Sequence, residues 1–240
     1  MTLLEARHLS RAYGGLAAVA DASLTIKSGE VRAIIGPNGA GKTTLVGMIS
    51  GRIKPGSGRI LFNGADVTAL PSWRRVDLGI VYTFQVTSIY RNLPVLENVA
   101  LAAQRRHGHV IEVREKRIRR HAHAALARVG LDHETARLAG TLPYGHQRLL
   151  EVAMALALEP KLLIMDEPTQ GLAPSEIASF CELVRTIAQS ATVLLIEHNL
   201  KVVLELAQRI TVMDRGTVLA EGTPDDIERH PAVQRAYLGQ

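Results

Sequence analysis

The stretch that decides the fold reads Gly36-Pro37-Asn38-Gly39-Ala40-Gly41-Lys42-Thr43-Thr44. It matches the pattern G-x-x-x-x-G-K-[ST] completely, and the apolar run before it, residues 31–35, predicts a buried strand. Residues 44–49 predict the first turns of a helix. In this order the glycines let backbone N–H groups surround a polyphosphate, and the helix N-terminus adds a positive dipole end. The sequence therefore predicts a phosphate site in which Lys42 reaches the β- and γ-phosphates and the Thr43 hydroxyl binds Mg²⁺.

Length and composition indicate an ordinary globular chain. The 240 residues can bury a substantial core, and contents of 47% hydrophobic and 21% charged residues argue against bulk disorder. The first residues lack the charged and apolar regions of a secretory signal, and no apolar run approaches the roughly 20 residues that span a bilayer. If the protein works at a membrane, we expect another chain to span it. The single cysteine, Cys181, is expected to have a packing role.

Much of the positive charge lies between residues 105 and 120, within a formal net charge of +5. Such a stretch could bind nucleic acid or an anionic membrane face. Aromatic residues are not interleaved with these arginines and lysines, as a surface that stacks single-stranded bases would require. We therefore favour a solvated helix face and expect no nucleic-acid partner.

Most of the chain alternates between strand and helix patterns. Two short strands around a turn are expected within residues 3–27. Later apolar runs predict strands at residues 59–62, 80–84, 161–165, 191–196, 209–213 and 217–220. One block differs, because its patterns are mainly helical and predict helices at residues 95–106, 112–129 and 145–158. The second of these carries an apolar stripe at 3.6-residue spacing, formed by Ile118, Ala122, Ala125, Leu126 and Val129.

These patterns predict an α/β fold with a mostly parallel sheet and an antiparallel β part near the N-terminus. We expect a single domain over residues 1–240. Its nucleotide-binding core would comprise residues 1–85 and 161–240, and residues 86–160 would form an inserted helical subdomain.

An acidic pair, Asp166-Glu167, follows one of the apolar strands. A carboxylate at the end of a strand can hold Mg²⁺ beside Thr43, and a second one can orient and polarise the attacking water. Alone, the pair also fits a helix cap or a turn. Together with the complete phosphate loop it favours a hydrolytic site. Tyr13, beside a diglycine turn, could stack on a nucleotide base or could simply pack.

The order of these motifs resembles the ATP-binding subunit of an ABC transporter, a P-loop NTPase. The resemblance extends over essentially the whole chain and rests on Tyr13, residues 36–44, Gln85, Leu142-Pro143-Tyr144-Gly145-His146-Gln147, Asp166-Glu167 and His198. It implies ATP and Mg²⁺ as cofactors and a Mg²⁺-dependent ATPase activity coupled to transport. Residues 142–147, the signature segment from here on, would act on ATP bound to the opposite subunit of a head-to-tail dimer.

The resemblance also implies a role for each matching residue. Tyr13 would stack on adenine, and residues 36–44, that is Gly36, Pro37, Asn38, Gly39, Ala40, Gly41, Lys42, Thr43 and Thr44, would hold the phosphates. Gln85 would sense Mg²⁺ and the attacking water, and Asp166 would support the metal. Glu167 would be the catalytic base and His198 would contact the γ-phosphate. From the partner's side the nucleotide would meet Tyr144, Gly145, His146 and Gln147.

Two departures limit the resemblance. The signature segment of the family usually has serine where this chain has Pro143, and proline supplies neither a hydroxyl nor an N–H. We expect one phosphate contact to be missing there. The segment after the acidic pair often carries an aspartate, whereas this chain reads Gly171-Leu172-Ala173-Pro174.

Several stretches resemble the branch of the family that serves branched-chain amino-acid importers. They are residues 167–174, the tyrosine in the signature segment, residues 196–199 and the C-terminal stretch. Amide, urea and other amino-acid importers share that branch. The resemblance implies integral membrane permease subunits as partners, a second ATPase subunit that is more often a homologue than an identical copy, and an indirect partnership with an extracytoplasmic solute-binding protein. The chain would lie at the cytoplasmic face of the cell membrane.

Two other functions compete with transport. A non-transport ABC-type ATPase could act on ribosomes or nucleic acid, and the basic charge permits this, but such proteins usually join two cassettes or insert a long coiled coil. A small-molecule kinase with a phosphate loop would leave residues 142–147 unexplained.

Overall fold

Two β-sheets and the helices around them form the molecule, whose computed structural model describes residues 1–83, 88–106 and 111–237. The strands, numbered in chain order, are β1 (Thr2–Tyr13), β2 (Leu16–Lys27), β3 (Val31–Ile35), β4 (Ser57–Phe62), β5 (Ala65–Asp66), β6 (Ile80–Thr83), β7 (Leu162–Asp166), β8 (Thr192–Ile196), β9 (Arg209–Asp214) and β10 (Thr217–Gly222). The helices are α1 (Lys42–Ser50), α2 (Ser72–Leu78), α3 (Val95–Ala103), α4 (Ile111–Arg128), α5 (Tyr144–Leu156), α6 (Pro174–Ala188), α7 (Leu200–Leu206), α8 (Pro224–Glu228) and α9 (Pro231–Tyr237).

The larger sheet has six strands in the order β10-β9-β3-β8-β7-β6. All neighbours pair in parallel except β10, which forms an antiparallel hairpin with β9. Strands β3, β7 and β8 are buried along their whole length, as their continuous apolar sequences require of strands covered on both faces. Because these strands are parallel, the segments that follow them meet at one edge of the sheet.

The smaller sheet is antiparallel, with the order β2-β1-β4-β5. The α/β fold with a parallel sheet and an N-terminal antiparallel part is thus confirmed. The first two strands are longer than predicted, at 12 residues each. Their pairing carries register shifts, including those on either side of Leu9, which break the simple alternation that marks a long strand in sequence.

Helices α3, α4 and α5 pack on one another and bury a shared apolar core. The predicted stripe on α4 is buried in it, with Ala122 and Leu126 fully covered. Three basic residues of the same helix, Lys116, Arg117 and Arg120, are exposed. Arg119 lies 3.3 Å from Glu97 and 3.2 Å from Glu115. This helix therefore has one apolar face and one charged face.

One segment differs from the sequence expectations. The seven-residue helix α7 was not predicted, because it is too short to show a clear period. It is capped by Asn199, whose side chain accepts from the backbone N–H of Lys201 and Val202. Strand β6 is described as far as Thr83; the predicted end of this strand near Phe84, and Gln85, lie outside the described residues. Over the described ranges, no helix combines the length and apolar character that a bilayer crossing requires.

Candidate active site

The phosphate loop connects β3 to α1, and neighbouring backbone fixes its path. A Cβ at Gly36 would lie 2.2 Å from the Met213 carbonyl oxygen, and one at Gly41 would lie 2.3 Å from the Ala18 carbonyl oxygen. Gly41 also has φ +97°, a left-handed conformation that glycine adopts without strain. These two glycines of the motif are therefore required by packing as well as by backbone conformation.

Lys42 is buried in the first turn of α1, and its ammonium group is held inside the loop. The Nζ atom donates to the carbonyl oxygens of Gly36, at 2.7 Å, and Pro37, at 3.0 Å. Burial lowers the pKa of Lys42, and the nearby carboxylates of Glu167 and Asp166 partly oppose this shift. The loop carbonyls thus hold the cation within electrostatic reach of the acidic pair, and it can exchange these carbonyls for phosphate oxygens.

Asp166, at the end of β7, presents an oxygen without a hydrogen-bond partner. The Tyr82 hydroxyl donates to its Oδ2 atom, whereas Oδ1 is buried and has no partner among the described residues. Burial is the main cause that raises the pKa of Asp166, and the neighbouring charge of Glu167 adds to it. An unpaired buried carboxylate oxygen fits a Mg²⁺ ligand, direct or through water, because the cation would supply the missing interaction.

Glu167 and His198 face each other at the carboxyl edge of the sheet. The Nε2 atom of His198 lies 2.6 Å from the Oε1 atom of Glu167. Glu167 has φ +47°, an uncommon conformation for a residue with a side chain, and its N–H donates to the Ile196 carbonyl at 2.8 Å. The strand ends β7 and β8 thereby hold together two residues that the sequence placed in the same site.

Glu197 is a residue of this edge whose role the sequence did not reveal. Its buried carboxylate accepts from both the N–H and the hydroxyl of Thr169, at 2.9 and 2.6 Å. It also accepts from the N–H of His198, at 3.1 Å, and of Asn199, at 3.3 Å. One carboxylate therefore joins the turn after Glu167 to the turn that carries His198.

A pocket of about 650 Å³ brings most of the predicted residues together. It is lined by Tyr13, Leu16, Ala17, Ala18, Asn38, Gly39, Ala40, Gly41, Lys42, Thr43, Thr44, Glu167, His198 and Arg215. Tyr13 is half-exposed, with the Arg11 guanidinium 5.0 Å from its ring centre. Arg215, at the β9–β10 turn, was not predicted, because nothing in its local sequence links that turn to the phosphate loop.

The signature segment lies elsewhere. Tyr144, Gly145, His146 and Gln147 form the first turn of α5 and do not line the pocket, and Pro143 is the N-cap residue, without a side-chain hydrogen bond to the helix. Gln147 is turned back, because its Nε2 atom donates to the Leu142 carbonyl at 2.8 Å. The structure therefore places these residues apart from the other predicted site residues of the same chain.

Known proteins similar to this chain include ATP-binding proteins of transporters. A family model described as ABC transporter matches residues 19–170, and one described as Branched-chain amino acid ATP-binding cassette transporter matches residues 217–240. The high-affinity branched-chain amino acid transport ATP-binding protein LivG of Escherichia coli (strain K12) is 38% identical, over 99% of this chain and 98% of its own. The corresponding protein BraF of Pseudomonas aeruginosa is 36% identical with the same coverage.

Solved structures give the same result for the fold. An ATP-binding cassette of an ABC transporter in its ADP conformation superimposes with a TM-score of 0.89, at 30% sequence identity and with both chains fully covered. The chain therefore belongs to the ABC transporter family, as an ATP-binding subunit that hydrolyses ATP.

Proposed function

We propose that this chain is the ATPase subunit of an importer for amino acids, with branched-chain amino acids as the cargo. Support for the cargo comes from the printed functions of LivG and BraF and from the family match at residues 217–240. These names favour transport over the alternative of an ATPase that acts on ribosomes or nucleic acid.

The observation that carries the ATPase part of the proposal is the meeting of an acidic pair, buried Asp166 and partly buried Glu167, with the phosphate loop. Asp166 offers a buried oxygen that has no partner in the described part of the chain, and the Glu167 carboxylate lies 2.6 Å from His198 in a pocket shared with Lys42. Phosphoryl transfer depends mainly on positioning and electrostatics, which is what such a constellation supplies.

Each residue then has a defined task. Tyr13 stacks on the base, and Lys42 together with the loop N–H groups binds the phosphates. Asp166, the Thr43 hydroxyl and Gln85 would hold Mg²⁺, which would neutralise phosphate charge. Glu167 orients the attacking water and accepts its proton, and His198 contacts the γ-phosphate.

We further propose that two ATPase subunits pair head to tail, and that the partner is a homologous chain in preference to a second copy. Support comes from the signature segment, which lies apart from the nucleotide pocket of its own chain. In the dimer, the N-terminal end of α5 would present Tyr144, Gly145, His146 and Gln147 to the partner's ATP, where a helix N-terminus favours anionic phosphate.

The other partners follow from the transport role. Permease subunits would span the cytoplasmic membrane, this chain would bind their cytoplasmic face, and a solute-binding protein would act from the other side. We assign residues 1–85 and 161–240 to the nucleotide-binding core and residues 86–160 to a helical subdomain. Support for this division comes from the mutual packing of α3, α4 and α5, whose apolar cluster continues into β7, β8 and α6 of the nucleotide-binding core.

The experiment that tests the function replaces Glu167 with glutamine in the assembled transporter. Glu167→Gln should bind ATP with unchanged affinity but lose about a hundredfold or more in turnover, the usual contribution of a general base. Glu228→Gln, at an exposed position outside the pocket, is the matched control and should hydrolyse ATP normally.

Cargo is tested with the same complex in proteoliposomes. A binding protein loaded with leucine, isoleucine or valine should stimulate ATP hydrolysis. Normal hydrolysis by Glu167→Gln would refute the catalytic assignment, and stimulation by other solutes alone would refute the assignment of the cargo.

A further inference from the structure

Helix α5, the signature helix from here on, carries Arg148, whose side chain makes four hydrogen bonds to described residues, and no task assigned so far uses them. Arg148 begins the second turn of α5 and is only 1% exposed. Its Nη2 atom donates to the carbonyl oxygens of Asp166 and Glu167, both at 3.0 Å, and its Nε atom donates to that of Pro168 at 3.2 Å. Its Nη1 atom donates to Glu151 at 2.7 Å.

These bonds hold the backbone on both sides of the proposed catalytic carboxylate. The three carbonyl groups are consecutive, so one planar guanidinium fixes the orientation of the successive peptide units. The N–H of Glu167 is fixed from the opposite direction by the Ile196 carbonyl, at 2.8 Å. Glu167 also has φ +47°, a strained conformation that persists only where its surroundings enforce it.

Two more contacts join the first turn of α5 to the segment that follows Glu167. A Cβ at Gly171 would lie 3.0 Å from the Tyr144 ring, and one at Gly145 would lie 2.2 Å from the Glu176 Oε1 atom. The second Glu176 oxygen accepts from the Ala173 N–H at 2.7 Å. Residues 166–176 and the first two turns of α5 therefore touch at three places, and Arg148 makes the contact that lies next to Glu167.

We propose that Arg148 is a positioning residue that fixes Glu167 to the signature helix. Docking of the N-terminal end of α5 on one nucleotide then sets the position of the carboxylate that acts on the other nucleotide. The inference rests on the proposed roles of Glu167 and of the head-to-tail dimer. It adds a physical connection within one subunit between the two ATP sites of the complex.

The test replaces Arg148 with lysine in the assembled transporter. A lysine ammonium cannot reach three carbonyl groups and Glu151 together, because it lacks the planar fork of arginine. A small displacement of a reacting group can cost up to a hundredfold in rate, so we expect R148K to lower kcat by about tenfold or more. The KM for ATP and the affinity for a fluorescent ATP analogue should stay within about twofold, because these contacts do not touch the nucleotide.

Arg32 provides a matched control. It is 2% exposed, lies 2.7 Å from Glu30 and 2.6 Å from Glu221, and also donates to a backbone carbonyl, that of Thr25 at 2.8 Å. R32K should lower the Tm about as much as R148K does. Its kcat, counted per nucleotide-binding site by titration with the fluorescent analogue, should equal that of the wild type.

Equal kcat values per site for R148K and R32K would overturn the proposal. If R148K does not fold, the double variant R148Q/E151Q, which removes both buried charges together, is measured in its place. Failure of both Arg148 forms to fold, while R32K folds, would assign Arg148 to stability alone and would also overturn the proposal. An inactive Glu167→Gln beside a fully active R148K would contradict only the positioning role. An active Glu167→Gln would contradict the catalytic assignment itself.

Discussion

The two walls of the nucleotide pocket are built by different means. The phosphate loop is one continuous segment, and backbone contacts such as that between the Gly216 N–H and the Ala40 carbonyl, at 3.1 Å, hold it in place. The carboxylate wall joins the ends of β7 and β8, and buried charged side chains, Glu197 and Arg148, hold it from behind. We infer that the first wall determines nucleotide affinity and the second determines turnover, so changes to the two should separate these quantities.

The largest expected effect is on the loop. Gly41→Ala should weaken ATP binding by at least about thirtyfold, because left-handed strain costs about 1–2 kcal/mol and a backbone overlap about 1–3 kcal/mol. Gly39→Ala is the control, since Gly39 has φ +79° but nothing lies within 4 Å of a Cβ there. Calorimetric titration with ATP measures both affinities. Equal losses of ATP affinity in the two variants would show that backbone strain, and not packing against the Ala18 carbonyl, limits how well the loop binds ATP.

A change behind the carboxylate wall should act on turnover. Glu197→Gln keeps the shape but places an amide donor among N–H groups that need an acceptor, so the turns of Thr169 and His198 shift. We expect kcat to fall by about tenfold while the ATP affinity changes little, because the phosphate loop, which makes most of the phosphate contacts, is unchanged. Steady-state ATPase assays provide kcat, and equilibrium binding provides the affinity. A loss of affinity equal to the loss of kcat would erase the distinction between the walls.

The signature segment extends the comparison to the second subunit. Pro143→Ser restores a hydroxyl and an N–H at the N-cap of α5, each able to make a hydrogen bond. Because one such bond contributes about 0.5–1.5 kcal/mol, we expect the rate of hydrolysis of the partner's ATP to rise by about twofold to tenfold. The two sites of a heterodimer are distinguished by combining this change with Glu167→Gln in either subunit. Unchanged turnover and nucleotide occlusion at both sites would show that the proline creates no asymmetry.

The smallest effect is one on stability without ligands. The raised pKa of Asp166 means that the folded chain binds more protons than the unfolded chain between the ordinary and the raised value, so its free energy of unfolding falls as the pH rises through that range. Asp166→Asn cannot ionise and escapes this loss. We therefore expect the ligand-free variant to have a higher Tm than the wild type at neutral pH, and the difference to shrink toward acid. A lower Tm of the variant at neutral pH would contradict the conclusion that burial of Asp166, whose Oδ1 atom has no partner within the described residues, destabilises its ionised form.

Short-range patterns accounted for the parts of the fold that depend on local sequence. The loop and its flanking β3 and α1 were predicted because all three lie in one contiguous sequence motif. The apolar stripe on α4 and the acidic pair at the end of β7 were also predicted, because each is a pattern of neighbouring residues. Helix α7 was missed, because seven residues show no clear helical period and its cap at Asn199 depends on local backbone geometry.

The supporting residues of the site were missed for a different reason. Tyr82 meets Asp166, Glu197 meets Thr169, and Arg148 meets the backbone of residues 166–168. These contacts depend on the order of strands in the sheet and on the packing of α5 against it. A tyrosine in an apolar strand, or an arginine on a helix, has no sequence pattern that distinguishes a partner far along the chain from solvent.

The sequence by itself determined that this chain carries a phosphate loop, an acidic strand end and a signature segment, because each is a continuous motif whose chemistry is local. Only the tertiary structure decided that Asp166, Glu167 and His198 share one edge with Lys42, that the signature segment lies outside their pocket, and that Arg148 ties the two together. The physical reason is that parallel strands bring distant segments to one edge, and buried charges find their partners only when the sheet and helices have packed.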